Sequence, residues 1–160
     1  MRMRDLAILI TMAIYSAMCA VPATALWFDP GIPVFTSAEQ GHPIRLQYDR
    51  VIKIDSLIEY AVVIRDADTT ELICDVRSGP FHYRKTVGPV VDKTLAWWVA
   101  NNPDCRDIKD RPGNYWVATT WTVVRPLGDL LPSWADALVG WIIPPKRVTR
   151  QSPLFTVEGK

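Results

Sequence analysis

Tyr115-Trp116-Val117-Ala118-Thr119-Thr120-Trp121-Thr122-Val123-Val124 is the most strand-like stretch of this 160-residue chain. Every residue except Ala118 is β-branched or aromatic, the side chains that fit a pleated surface. The run carries no charge and no polar-out face, so it reads as a strand covered on both sides. Arg125-Pro126 stops it, since proline has no N–H to give to a ladder.

Working towards the N-terminus, residues 59–65 alternate Tyr60, Val62 and Ile64 against Ala61 and Val63. Asp66-Ala67-Asp68-Thr69 then makes a polar turn, and residues 71–77 return with Leu72, Cys74 and Val76 on one face, a hairpin pattern. Ser78-Gly79-Pro80 closes it, and residues 81–87 form a further strand ended by Gly88-Pro89. Earlier still, Ile44, Leu46 and Tyr48 alternate with Arg45 and Gln47, so residues 43–55 predict a strand or a bent pair. Residues 90–102 fit a helix through Val91, Leu95, Trp98 and Val99, with Asp92 as cap, and fit a strand equally; the β surroundings favour the strand. Residues 101–113 read as a loop. Towards the C-terminus, residues 154–157 make a short closing strand.

Many short strands between Pro/Gly turns, without a sustained long helix, argue an all-β antiparallel sandwich over residues 44–160. Asp110-Arg111-Pro112-Gly113-Asn114-Tyr115, entering the strong strand, resembles the turn and tyrosine corner of immunoglobulin-like and fibronectin III-like domains. The resemblance implies that the Tyr115 hydroxyl bonds back to nearby backbone and pins the turn set by Asp110 and Gly113. It covers one turn and one strand. The chain departs from the antibody pattern at Val117, where a second Cys would stand.

The N-terminus has another character. Arg2 and Arg4 precede an apolar run, residues 6–18, and Ala23-Thr24-Ala25 supplies small residues at alternate positions, the layout of a secretory signal. Residues 6–25 as one helix would also reach about 30 Å, enough for a membrane anchor. The small-residue pattern favours cleavage after Ala25 over retention. In both cases residues 26–160 lie outside the cytoplasm, with 26–43, rich in Pro and Gly, as a linker or irregular first segment.

The chain has 18 Lys+Arg and 17 Asp+Glu. Without Arg2, Arg4 and Asp5 the remainder is balanced at 16 of each, which leaves no basic footprint for nucleic acid. Of three Cys, Cys19 belongs to the leader. Cys74 and Cys105, exported to an oxidising compartment, are most economically a disulfide. Two separate buried thiols are the alternative; a metal site lacks ligand spacing to His42 or His82. Given the departure at Val117, such a bond is not the usual inter-sheet one and ties a strand to the loop before the corner.

Residues 127–145 are too long and too apolar for a hairpin loop. Leu130, Trp134, Leu138, Trp141 and Ile142 follow helical spacing, with Ser133 as cap and Pro144-Pro145 as stop. Such a helix plugs an open end of the sandwich or presents Trp134, Leu138, Trp141 and Ile142 to a protein partner or membrane interface.

No catalytic constellation is visible: His42 and His82 have neither partner nor nucleophile in the pattern. Asp66 and Asp68 read as turn residues. Asp104, Asp107 and Asp110 read as a loop neutralised by Arg106, Lys109 and Arg111. No cofactor motif occurs. The expectation is an exported, non-catalytic binding or structural module of a cell envelope, virion or extracellular setting. The alternatives are a membrane-anchored accessory protein that uses the Trp-bearing insertion, and a small extracytoplasmic enzyme.

Overall fold

The computed structural model describes residues 3–87, 91–99, 102–125, 132, 134–135 and 146–159. Helix α1 (Met3–Ala20) is followed by a separate turn, α2 (Ala23–Leu26). The single helix over residues 6–25 that the anchor alternative needs is not formed: Pro22 has no N–H to extend it, and α1 ends at Ala20. Among the described residues, no helix is long and apolar enough to cross a membrane.

Residues 26–43 are not a linker. They supply β1 (Phe28–Asp29), β2 (Val34–Phe35) and β3 (Ala38–Glu39), and they bury Trp27, Phe28 and Phe35. Next come β4 (Arg45–Tyr48), β5 (Val51–Ile52), the hairpin β6 (Ser56–Asp66) and β7 (Leu72–Tyr83), then β8 (Thr86–Val87) and β9 (Val91–Thr94). Two single-turn helices, α3 (Leu95–Trp98) and α4 (Pro103–Arg106), precede β10 (Gly113–Arg125), β11 (Lys146–Gln151) and β12 (Phe155–Glu158). The fold is thus mostly β, with several sheets and short helices.

The large sheet runs β3-β12-β10-β6-β7, with β11 also on β10. β10 is its axis: β6 pairs along one edge, while β12 at Gly113–Tyr115 and β11 at Ala118–Val123 share the other. All these pairs are antiparallel except β3 with β12, which is parallel. Along β10, Tyr115, Val117, Thr119, Trp121 and Val123 are buried, and Trp116, Ala118, Thr120 and Thr122 are half-buried. The strand is covered on one face only, which corrects the two-sided reading. The uncharged outer positions belong to a central strand whose neighbours shade it from both sides.

β1-β5-β8 and β2-β4-β9 form two three-stranded sheets. Phe28 pairs with Ile52 and Val34 with Gln47, six residues on one strand against five on the other. The two sheets are one antiparallel layer broken by an extra residue. Gly31 sits at the break with φ 62°, where any Cβ would overlap the Asp49 carbonyl oxygen. This layer packs on the large sheet through Phe28 on Trp121 at 5.3 Å, Phe35 on Phe155 at 5.0 Å and Tyr48 on Trp121 at 6.2 Å.

β7 continues through Gly79-Pro80, which was read as its end. It lies at the sheet edge, where a proline costs no ladder bond. A register shift between Ile64 and Arg65 leaves Ile73 as the extra residue and pairs Leu72 with Arg65. Leu72 thereby turns to the outer face, not to the Cys74 and Val76 face. Residues 90–102 hold both structures that the pattern allowed: β9, then α3, capped by the Thr94 hydroxyl accepting from Trp97 N at 3.2 Å. Asp92 stays within the strand.

Cys74 and Cys105 form a disulfide, with Cα atoms 5.5 Å apart, that fastens the edge strand β7 to α4. Asn102 Nδ2 donates to Asp75 O at 3.3 Å beside it, so α4 shields that edge. At the corner, the Tyr115 hydroxyl donates to Arg111 O at 2.9 Å. A Cβ on Gly113 would lie 3.1 Å from that hydroxyl oxygen, so glycine leaves it room. Asp110 contributes its backbone carbonyl to Gln40 Nε2 at 2.8 Å and its carboxylate to Lys109. Tyr115→Phe leaves the Arg111 carbonyl without this donor and is expected to cost about 1 kcal/mol in urea unfolding, with the m-value unchanged.

Candidate functional site

The outer face of the large sheet carries an open recess. Cross-strand partners share a face, so Thr122 lies between Arg147 and Glu59, and Thr120 lies between Thr149 and Ala61. On the next strand Arg77 adjoins Ala61, and Asp75 adjoins Val63. The small side chains of Ala61, Thr120 and Thr122, with Gly79, form the floor of a concavity of 550 Å³. Glu59, Asp75, Arg77 and Arg147 stand around it. Hydroxyls, two carboxylates and two guanidinium groups equip this face for hydrogen bonding and charge pairing with a polar surface. Gly79 has φ 112°, and a Cβ there would come within 3.1 Å of Ile58 O, which keeps the floor low.

Trp134, the sequence's first candidate for a partner surface, is 69% exposed, and Ala135 N donates to Pro132 O at 2.9 Å next to it. Leu138, Trp141 and Ile142 lie outside the described residues, as does most of the insertion. His42 is on the surface, its Nδ1 3.9 Å from a Glu39 carboxylate oxygen, and His82 is exposed on β7. Asp66 Oδ1 accepts from Asp68 N at 2.9 Å and Thr69 N at 2.8 Å, the work of a turn residue. The Thr69 N–H, with a smaller contribution from that of Asp68, holds its carboxyl below the ordinary range. Asp104, Asp107 and Asp110 do not converge: among the described residues no three His, Cys, Asp or Glu side chains gather as metal ligands.

Two features were not anticipated. α1 exposes Leu6, Ile8, Leu9, Ile10, Met12 and Ile14, positions that cover every side of a helix. Where α1 meets the body, Lys53, Lys146 and Trp27 surround the chain; Lys146 opens β11, a strand that the sequence reading did not identify. In Lys146-Arg147-Val148-Thr149-Arg150-Gln151 only Val148 is apolar, so alternation was hidden; Lys146 and Val148 point inward. The second is a tyrosine-rich core margin. Burial pushes the Tyr83 phenol up to about 12 from an ordinary 10.0, Tyr48 adding to the shift and the Arg50 guanidinium opposing it. Burial likewise raises Tyr48 and Tyr115.

A raised phenol binds its proton more tightly when folded than unfolded. Its stabilising contribution is complete below pH 10.0 and is lost as pH climbs towards about 12. Alkaline titration is expected to unfold the protein cooperatively in this window, tyrosinate absorbance and near-UV dichroism changing together. Gradual ionisation of these tyrosines near pH 10 with the fold intact would contradict the burial.

No family model, curated protein or solved structure matches this chain.

Proposed function

We propose that this chain is an exported, non-catalytic binding or structural module, built as an immunoglobulin-like β-sandwich and working in a cell envelope, virion or extracellular setting. The observation that carries the reading is the Cys74–Cys105 disulfide, with Cys105 fully buried and Cys74 nearly so. Such bonds persist in oxidising compartments, and Cys19, the remaining thiol, lies in the apolar leader. The Tyr115 corner and two antiparallel layers facing one another support the fold assignment. The outer face around Thr120 and Arg147, together with exposed Trp134, provides the contact surface for a protein partner. Neither carries a basic excess suited to nucleic acid.

The test is location combined with thiol state. Protease added to intact cells or spheroplasts is expected to digest the domain, and mass spectrometry without reductant is expected to recover Cys74 and Cys105 as one linked peptide. A protease-protected cytoplasmic domain with two alkylatable thiols would end the proposal. A membrane-anchored accessory form is the second reading; the exposed apolar side chains of α1 suit contact with a membrane, although α1 is not long and apolar enough to cross one. It requires the protein to stay with membranes through an alkaline carbonate wash.

A further inference from the structure

We infer that residues 19–29 are a clasp which, once closed, keeps the N-terminal helix on the folded domain and shields the bond after Ala25 from a signal peptidase. The inference rests on the export reading and settles a choice which that reading leaves open, whether the folded module keeps its leader.

Ala23-Thr24-Ala25, the cleavage pattern, lies within α2, where Ala25 N donates to Pro22 O at 3.1 Å and Trp27 N to Ala23 O at 2.9 Å. Peptide-binding clefts commonly take their substrate as an extended strand, so this turn must unwind before it can enter one. The last two carbonyls on the leader side of the cut, the scissile one included, are also occupied: Lys53 Nζ donates to Thr24 O at 2.7 Å and to Ala25 O at 3.0 Å. Lys53 N holds Trp27 O at 2.8 Å, and Lys146 Nζ holds Cys19 O while lying over the Trp27 ring. Ala23, on the leader side of the bond, is as buried as Trp27 on the other side, and Phe28 continues directly into the core. Asp29 is fixed in turn by Arg150 at 3.1 Å.

Hydrolysis adds water across the Ala25–Leu26 bond. The new carboxylate departs with the leader, and the new ammonium remains at Leu26, beside a Lys53 that has lost both carbonyl acceptors. Cleavage therefore exchanges two charge-assisted hydrogen bonds for a meeting of like charges.

The full chain, exported and purified, is expected to retain residues on the leader side of Ala25 by intact mass and N-terminal sequencing. Material starting at Leu26 would overturn the inference. As a second readout, elastase, which cuts after small residues, is applied to the purified full chain. Lys53→Met/Lys146→Met, which loses three charged hydrogen bonds from the closed state, is expected to be cut between Ala23 and Leu26 at least about tenfold faster than wild type. Equal rates would overturn it. If the double variant loses its near-UV tryptophan signal, Lys53→Met alone serves, because its Nζ is exposed. A cytoplasmic, thiol-bearing domain would defeat the export reading alone, since the elastase comparison does not depend on compartment.

Discussion

Trp121→Ala is expected to destabilise the protein by about 3–5 kcal/mol, the range for emptying an indole site in a packed core. Trp121 is nearly fully buried at the centre of the large sheet. Its ring lies 5.1 to 6.5 Å from those of Phe28, Tyr48, Tyr60, Tyr83 and Trp98. These neighbours come from both layers and from α3, so no single element can move in to fill the space. The loss combines transfer energy, cavity cost and edge or stacked ring contacts worth about 0.5–1.5 kcal/mol each. Urea unfolding followed by far-UV dichroism reads the change. Trp134→Ala, at an exposed site, serves as the control and is expected to fall within about 0.5 kcal/mol of wild type. Similar effects from the two substitutions would mean that the core is not organised on Trp121.

Replacing both Cys74 and Cys105 by Ala is expected to remove about 3–4 kcal/mol and to lower the melting temperature by roughly 10–15 °C. The bond closes a separation of 31 residues, and on the chain-entropy model most of its effect comes from restricting the unfolded chain. A local contribution adds to this, because without the bond α4 is held on the β7 edge chiefly by Asn102 and the packing around buried Ile108. The same burial predicts slow reduction: dithiothreitol should open the bond in the native protein only at the rate of local unfolding. Rapid reduction without loss of fold, or an unchanged melting temperature in the double variant, would remove the disulfide from the account of stability.

The strands that could be read from sequence were those whose side chains announce a face. β6 alternates, β10 is an unbroken β-branched and aromatic run that announces a strand though not its face, and the tyrosine corner is a local event in which residues 111 and 115 meet without help from the rest of the chain. β11 was missed because a strand of Lys, Arg, Thr and Gln looks like a charged tail until a neighbour buries its Lys146 stem and Val148. Residues 26–43 looked like a linker because Pro30, Gly31 and Pro33 signal irregular backbone. They say nothing of the rings of Phe28 and Phe35, which find Trp121 and Phe155 from far along the chain. Of the expected partner surface, Trp134 is exposed, and Leu138, Trp141 and Ile142 lie outside the described residues. The recess around Thr120 depends on which residues of four strands fall into register, and a single-residue bulge at Ile73 is enough to move Leu72 from one face to the other.

The sequence by itself determined the β character, the corner and the apolar N-terminal run, and counting cysteines pointed to the one disulfide, because each rests on local periodicity or on counting. Only the tertiary structure decided which face of Tyr115–Val124 meets the core, and that the layer opposite is broken at Gly31. It alone placed residues 26–43 inside the fold. Those outcomes depend on contacts between distant residues, such as Lys53 with Ala25 and Phe28 with Trp121, whose energies are absent from any local window and appear once the chain has closed on itself.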